Sequence, residues 1–249
     1  MLAGDNAGAV QLLDRADKIA NVVRWQYDRE RGRLALRKGD IPGAAQALSR
    51  ALDTCGSDYE TFILAADTVS ADPKQGQLAG KLRTLAPLRI KDLPENLIVS
   101  GKLALVDGKQ AEAEKAYNKA AEAFGQTATR RRVAQAHFGL AALFYEREDY
   151  PQAQNQLVFV LTSDPSLYPA YLFSGAVEVE LNGAKAEPKA FDLAKKAVSV
   201  NPDYIDGWVQ VGIYAAKLGK KKDLDEAITR VGALAPGSES LSTLQALKK

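Results

Sequence analysis

A repeated spacing of small residues constrains the fold of this chain more than any other feature of its sequence. Intervals of 7, 5 and 7 separate four small residues near the N-terminus: Gly32, Gly39, Ala44 and Ala51. The same intervals recur 69 residues later in Gly101, Gly108, Ala113 and Ala120. This distance is two periods of about 34 residues, which is long enough for two helices and their turns. The spacing therefore predicts a repeat made of helical hairpins.

Glycine and proline mark where the two helices of each hairpin end. Gly39, Gly108 and Gly219 stand where a C-terminal glycine would close the first helix. Three prolines stand where the second helix must stop: Pro165, Pro202 and Pro236. One hairpin cannot bury its apolar stripe alone, so we expect an all-α, right-handed superhelical solenoid in which each hairpin packs on its neighbours.

The segment from Ala141 to Pro165 tests this interpretation, because Leu157–Leu161 is an apolar run that could form a buried strand. The repeat spacing places the run in the second helix of a hairpin instead. Asp149 to Pro151 then form the turn, since proline is tolerated in the first turn of a helix. We expect Leu157–Leu161 to be a buried helical face.

The chain resembles the tetratricopeptide repeat (TPR) family. The resemblance rests on WVQVGIYAAKLGKKKDLDEAITRVGALAP (208–236) and GLAALFYEREDYPQAQNQLVFVLTSDP (139–165), where aromatic, small and terminal proline residues match the family pattern. Glu148 replaces the usual glycine. The resemblance covers about residues 25–236 and implies about six hairpins in a single domain over 1–249, with capping helices at about 5–24 and 238–249.

Composition excludes several classes of function. Lys and Arg total 33 against 31 Asp and Glu, so no strong charge predicts a nucleic-acid partner or an anionic membrane. One cysteine, Cys55, and one histidine, His137, leave little for a metal centre or a nucleophile with its base. Phosphate-binding, dinucleotide-binding and zinc-protease motifs are missing from the sequence. We therefore predict no enzyme, no cofactor and no metal.

Two basic runs, Arg130–Arg132 and Lys220–Lys222, are interpreted as solvated loops or helix ends, with contact to an anionic partner as the alternative. The sequence has no apolar run of the roughly 18 residues that a membrane span needs. Its first ten residues lack the features of a signal peptide. We expect the chain as given to be soluble, and both a cytoplasmic and a periplasmic location stay open.

The resemblance also implies a binding surface, because in this family the first helix of each hairpin lines a concave groove. In the later repeats it selects apolar and aromatic positions: Phe138, Tyr145, Leu172, Val179, Val209 and Ile213, together with Ala142 and Ala176. In the first repeat it selects a cationic stripe, Arg29, Arg33 and Arg37. The alternative for the apolar positions is packing against neighbouring helices, since groove and core differ by one helical step.

These observations predict a protein-interaction scaffold that holds a peptide or helix of a partner by apolar anchors, with acidic flanks selected by the arginines. An assembly factor of a bacterial envelope machine, resembling a pilus-biogenesis pilotin, is the second hypothesis. Self-association through an exposed end and an enzyme on the same scaffold are further alternatives.

Overall fold

The computed structural model describes residues 6–16, 24–88, 93–124 and 130–248. Within these residues the regular structure is entirely helical, with two short 3-10 turns and no strand. No described helix is long and apolar enough to cross a membrane. The all-α solenoid expected from the repeat spacing is confirmed.

Fourteen α-helices occur in the described part of the chain. In order they are α1 (Asn6–Ala16), α2 (Arg24–Arg37), α3 (Ile41–Thr54), α4 (Tyr59–Ala71), α5 (Gly76–Leu85), α6 (Pro94–Val106), α7 (Gln110–Phe124), α8 (Arg130–Glu146), α9 (Tyr150–Ser163), α10 (Tyr168–Asn182), α11 (Glu187–Val200), α12 (Ile205–Lys217), α13 (Lys221–Leu234) and α14 (Glu239–Ala246). Helices α2 to α13 form six consecutive pairs, in agreement with the six hairpins expected.

The turns between paired helices show why glycine recurs at a fixed position. Gly39, Gly108 and Gly219 have φ angles of 74°, 72° and 68°, in the left-handed region where a side chain is unfavourable. After α2 the Asp40 amide donates to the Ala35 carbonyl at 2.9 Å, as in a Schellman cap. Glu148 occupies the equivalent position between α8 and α9 with a φ of 60°. The chain therefore keeps the same turn there despite lacking glycine.

Prolines follow the second helices as expected. Pro165 comes two residues after the end of α9, and Pro202 two residues after the end of α11. Both carbonyls accept a hydrogen bond from an aromatic residue six positions later: the Tyr171 hydroxyl donates to Pro165 at 3.0 Å, and Trp208 Nε1 donates to Pro202 at 2.7 Å. Each bond ties the next hairpin to the turn that precedes it.

Side-chain caps fix where several helices begin. Asp40, Asp58 and Asp149 each accept a hydrogen bond from an amide three residues later, which satisfies one free donor of α3, α4 or α9. Ser238 does the same for α14, as the sequence indicated. The predicted N-terminal capping helix corresponds to α1 only as far as Ala16, because residues 17–23 lie outside the described part.

Packing divides the chain into two compact units, Met1–Gly139 and Leu140–Lys249, with the boundary inside α8. The assignment of a single domain over 1–249 stays a prediction. In the first unit the main core joins α3 to α6, with fully buried side chains that include Leu48, Phe62 and Leu82. In the second unit the core joins α11 to α14 around Trp208, Val211, Val231 and Leu244.

Close helix contact in the second unit depends on small residues. A Cβ atom added at Gly175 of α10 would lie 3.3 Å from the Ala190 Cα atom of α11. A small residue at this position lets the two helix backbones approach closely.

The apolar run of α9 is helical, but only part of it is buried. Leu157 and Val160 are fully buried, whereas Val158 is 56% exposed and Phe159 is 44% exposed. The expectation that all of Leu157–Leu161 forms a buried face is therefore wrong. The physical reason is the helical period: consecutive residues are 100° apart, so five in a row cannot share one face.

Candidate functional site

The residues predicted for the groove are divided between the two units, and all are half-buried. The first unit contains four of them, on α2 and α8: Arg29, Arg33, Arg37 and Phe138. The second unit contains five, on α8, α10 and α12: Tyr145, Leu172, Val179, Val209 and Ile213.

Two arginines of the cationic stripe, Arg29 and Arg33, are paired with carboxylates of the same unit. Arg29 contacts Glu30 at 3.0 Å and Asp58 at 3.2 Å, and Arg33 contacts Glu30 at 2.8 Å and Glu60 at 3.0 Å. Burial opposes ionisation of Asp58, but hydrogen bonds from Thr61 and Arg29 outweigh it and lower its pKa. Much of this cationic stripe is thus engaged in fixing α2 against α4.

A cleft opens in the second unit between α10 and α12, with Ala190 of α11 at its base. Its volume is about 320 Å³. The lining combines apolar, aromatic and polar side chains: Pro169, Leu172, Phe173, Ala176, Ala190, Tyr204, Asp206, Gln210 and Tyr214. Two positions named from the sequence, Leu172 and Ala176, are therefore brought together here.

The cleft uses a different face of α12 from the one expected. Val209 and Ile213 pack against the core of the second unit. Tyr214 packs against the same core but also lines the cleft, as Gln210 does. A shift of one residue turns the helical face by 100°. Two adjacent faces of α12 both carry apolar residues. Periodicity alone therefore does not indicate which of them lines the cleft.

Aromatic rings pack edge to face beside the cleft. The ring centroids of Tyr168 and Tyr204 are 4.7 Å apart. Tyr145 packs against Tyr150 at 5.4 Å and against Phe173 at 5.3 Å. Its hydroxyl also lies 3.4 Å from Glu180 Oε1. These pairs hold large rings rigidly, which lowers the entropy lost when a partner contacts them.

The polar groups of the cleft are only partly compensated. Asp206 has no cation beside it, and Gln210 makes no side-chain hydrogen bond, among the described residues. Although much of Asp206 is exposed at the mouth of the cleft, loss of surrounding water raises the pKa of its carboxyl. Burial, followed by the nearby Asp206 charge, raises the pKa of the Tyr204 hydroxyl. The cleft thus offers an unpaired carboxylate in apolar surroundings.

The residues considered for chemistry are not gathered into a site. Cys55 Sγ lies 3.4 Å from the Ser57 hydroxyl at the end of α3, and His137 is half-buried in α8. Within the described residues, no cluster of three or more His, Cys, Asp or Glu side chains could hold a metal ion. Of the two basic runs, Arg132 pairs with Glu95. The loop before it, residues 125–129, lies outside the described part.

No protein-family model matches the sequence, and no curated protein matches it. Solved structures do match. A tetratricopeptide repeat protein from Parabacteroides merdae ATCC 43184 aligns with a TM-score of 0.57 at 14% identity, over 98% of this chain and 90% of that one. The chain has the tetratricopeptide repeat fold. The TPR fold is also shared with PilW, a widely conserved type IV pilus biogenesis factor, at 19% identity and a TM-score of 0.53. That alignment covers 91% of this chain and 100% of PilW.

A third TPR structure, Pseudomonas aeruginosa pilF, aligns at 15% identity with a TM-score of 0.53, over 90% of this chain and 97% of that one. Within the TPR fold of this chain, α10 and α12 are the first helices of two successive hairpins. The cleft therefore lies between the helices to which the resemblance assigned the groove.

Proposed function

We propose that this protein is a non-enzymatic interaction scaffold that binds an extended or helical segment of a partner protein in the cleft between α10 and α12. The observation that carries the proposal is the lining of the cleft. Leu172, Phe173 and Tyr214 form an apolar and aromatic surface on rigid helices. Beside it lie Asp206 and Gln210, whose side chains have no hydrogen-bond or ion-pair partner among the described residues. Peptide recognition requires this combination, because apolar anchors supply affinity and a few polar groups set register.

The acidic flanks expected from the arginine stripe are not part of this proposal. Arg29 and Arg33 already have carboxylate partners, so an acidic ligand would have to displace Glu30, Asp58 or Glu60. Exchanging one partly buried ion pair for another yields little free energy, because the existing pair is lost as the new one forms.

The test is co-purification of the tagged chain from its native source, followed by mass spectrometry and calorimetric titration of the partner found. Leu172→Glu places a charge in the cleft and should weaken binding at least tenfold. Leu181→Glu is the matched control, because Leu181 lies on the same helix, is 39% exposed and is outside the cleft lining. Ala176→Glu repeats the test at a residue that is not in the core. Equal binding by all three variants, with unchanged helical circular dichroism, would remove the cleft from the proposal.

A role in assembling a bacterial envelope machine is a second candidate. It is supported by the alignment with PilW, which spans the whole of that pilus biogenesis factor. Deleting the gene in the native host and counting surface pili by electron microscopy tests it. Normal piliation would argue against this role and leave the scaffold proposal standing.

A further inference from the structure

Asp206 is the carboxylate that lines the cleft. Within the second unit, five acidic residues have a lysine partner: Glu178 with Lys189, Glu187 with Lys217, Asp223 and Glu226 with Lys195, and Asp225 with Lys248. Asp206 lines the cleft without such a partner among the described residues, and it is the only charged side chain of the described lining. Asp206 is exposed, so leaving it unpaired costs little, but a cation that enters the cleft is attracted to it beside apolar surface, where the attraction is less screened than in bulk water.

The aromatic residues around Asp206 also favour a bound cation. Tyr204 stands two residues before it, and Tyr214 and Phe173 line the same cleft. Aromatic faces attract ammonium and guanidinium groups. Tyr214 already contacts one cation, because the Lys217 ammonium lies 5.7 Å from its ring centroid. Lys217 is itself held by Glu187 at 2.7 Å, so it is not available to Asp206.

The size of the cleft limits what can enter it. A volume of about 320 Å³ lies at the lower end of the range of ligand pockets, which runs from about 300 to 1,000 Å³. It can take one long side chain and part of its neighbour, so the rest of an extended or helical segment would stay outside it. Leu172 and Ala176 supply the apolar wall on the α10 side.

We propose that the cleft holds an arginine or lysine side chain of the bound segment against the Asp206 carboxylate, with an apolar neighbour of that residue resting on Leu172 and Ala176. This inference rests on the proposed function and specifies the partner segment as one with a basic residue next to an apolar residue. The preference is opposite to the acidic flanks expected from the sequence, because Arg29 and Arg33 are paired internally, whereas Asp206 has no ion-pair partner among the described residues.

The experiment uses three synthetic tripeptides and the full chain labelled with ¹⁵N. The probes are acetyl-Leu-Ala-Arg-amide, its citrulline analogue, which has nearly the same shape without the charge, and its glutamate analogue. Each is titrated while the amide signals of α10 and α12 are followed by NMR. We expect the arginine peptide to shift signals around Asp206 and Leu172, and to bind about five to ten times more tightly than the citrulline peptide.

Two variants separate the charge from other effects. Asp206→Asn should reduce the affinity for the arginine peptide to that for the citrulline peptide. Asp192→Asn is the matched control, because Asp192 is an exposed carboxylate of α11 outside the cleft lining, and it should leave the affinity unchanged. The comparison of the peptides on the unmodified chain needs no mutation. It therefore still tests the inference if Asp206→Asn perturbs folding.

Each outcome decides one of the two proposals. If the arginine and citrulline peptides shift the cleft signals equally, the basic preference is overturned while the cleft remains a binding site. If the arginine peptide binds Asp206→Asn as well as the unmodified chain, or shifts no cleft signal, the inference fails. The scaffold proposal is judged separately, by whether Leu172→Glu loses the native partner.

Discussion

Replacing Glu148 by glycine should stabilise the second unit. Glu148 has a φ of 60° at the turn between α8 and α9, where the equivalent turns use glycine. Its amide donates to the Tyr145 carbonyl at 2.9 Å, and the Asp149 amide donates to the Phe144 carbonyl at 2.9 Å, so the backbone bonds of the turn do not need the side chain. No hydrogen bond or ion pair of the Glu148 side chain occurs in the described part of the chain.

The magnitude follows from two opposing effects. A left-handed conformation costs a residue with a side chain about 1–2 kcal/mol. Glycine offsets about 0.4–1 kcal/mol of this gain, because it has more conformational freedom to lose from the unfolded chain. The midpoints leave a net stabilisation of about 0.8 kcal/mol for Glu148→Gly, or roughly 2 °C in melting temperature for a chain of this size.

The assay is urea unfolding followed by tryptophan fluorescence in a Trp25→Phe background, where Trp208 alone reports on the second unit. Glu148→Ala removes the carboxylate but keeps the strained backbone, so it should change stability little. Gly219→Ala is the reciprocal test: a Cβ atom there meets nothing within 4 Å, so about 0.8 kcal/mol should be lost through the backbone alone. If Glu148→Gly is no more stable than Glu148→Ala, the argument from the φ angle is refuted.

Three further predictions concern capping, the link between hairpins and close packing. Asp58→Ala should cost about 1 kcal/mol near neutral pH. Because the folded-state pKa of Asp58 is lowered, this contribution is present above the ordinary pKa of 3.8 and is lost as pH falls through the folded-state pKa, so a cost that shows no decline in acid titrations below pH 3.8 would contradict it. Tyr171→Phe removes only the hydroxyl that donates to Pro165 and should cost about 1 kcal/mol in urea unfolding, whereas no change would mean that water replaces the bond. Gly175→Val should destabilise by about 1–3 kcal/mol in thermal melts, because its Cβ lies too close to the α11 backbone. Gly232→Ala, whose Cβ has ordinary contacts, should instead stabilise by about 0.5–1 kcal/mol, and similar effects for the two variants would contradict this reason.

The repeat was predictable because its signals are local. Gly39, Gly108 and Gly219 close helices through their own backbone angles, and Pro165 and Pro202 cannot continue a helix wherever the chain goes next. Even the departure at Glu148 was visible in the sequence, although its φ angle was not. Such properties depend on a few neighbouring residues, so they can be predicted without knowledge of the tertiary contacts.

The cleft was not predictable in the same way. Periodicity named Leu172 and Ala176 of α10, which line the cleft, but on α12 it named Val209 and Ile213, whereas Gln210 and Tyr214 line the cleft. On a helix that packs on more than one side, both faces carry apolar residues, so the rotation of the helix is set by its neighbours.

The sequence by itself determined the all-α repeat, the six hairpins and most helix ends, because glycine, proline and capping residues act through the backbone nearby. Only the tertiary structure decided which charges are satisfied. It paired Arg29 with Asp58 and Arg33 with Glu60, and left Asp206 in the cleft without an ion-pair partner among the described residues. The physical reason is that these two ion pairs join side chains far apart in the chain, which only the packing of helices brings together.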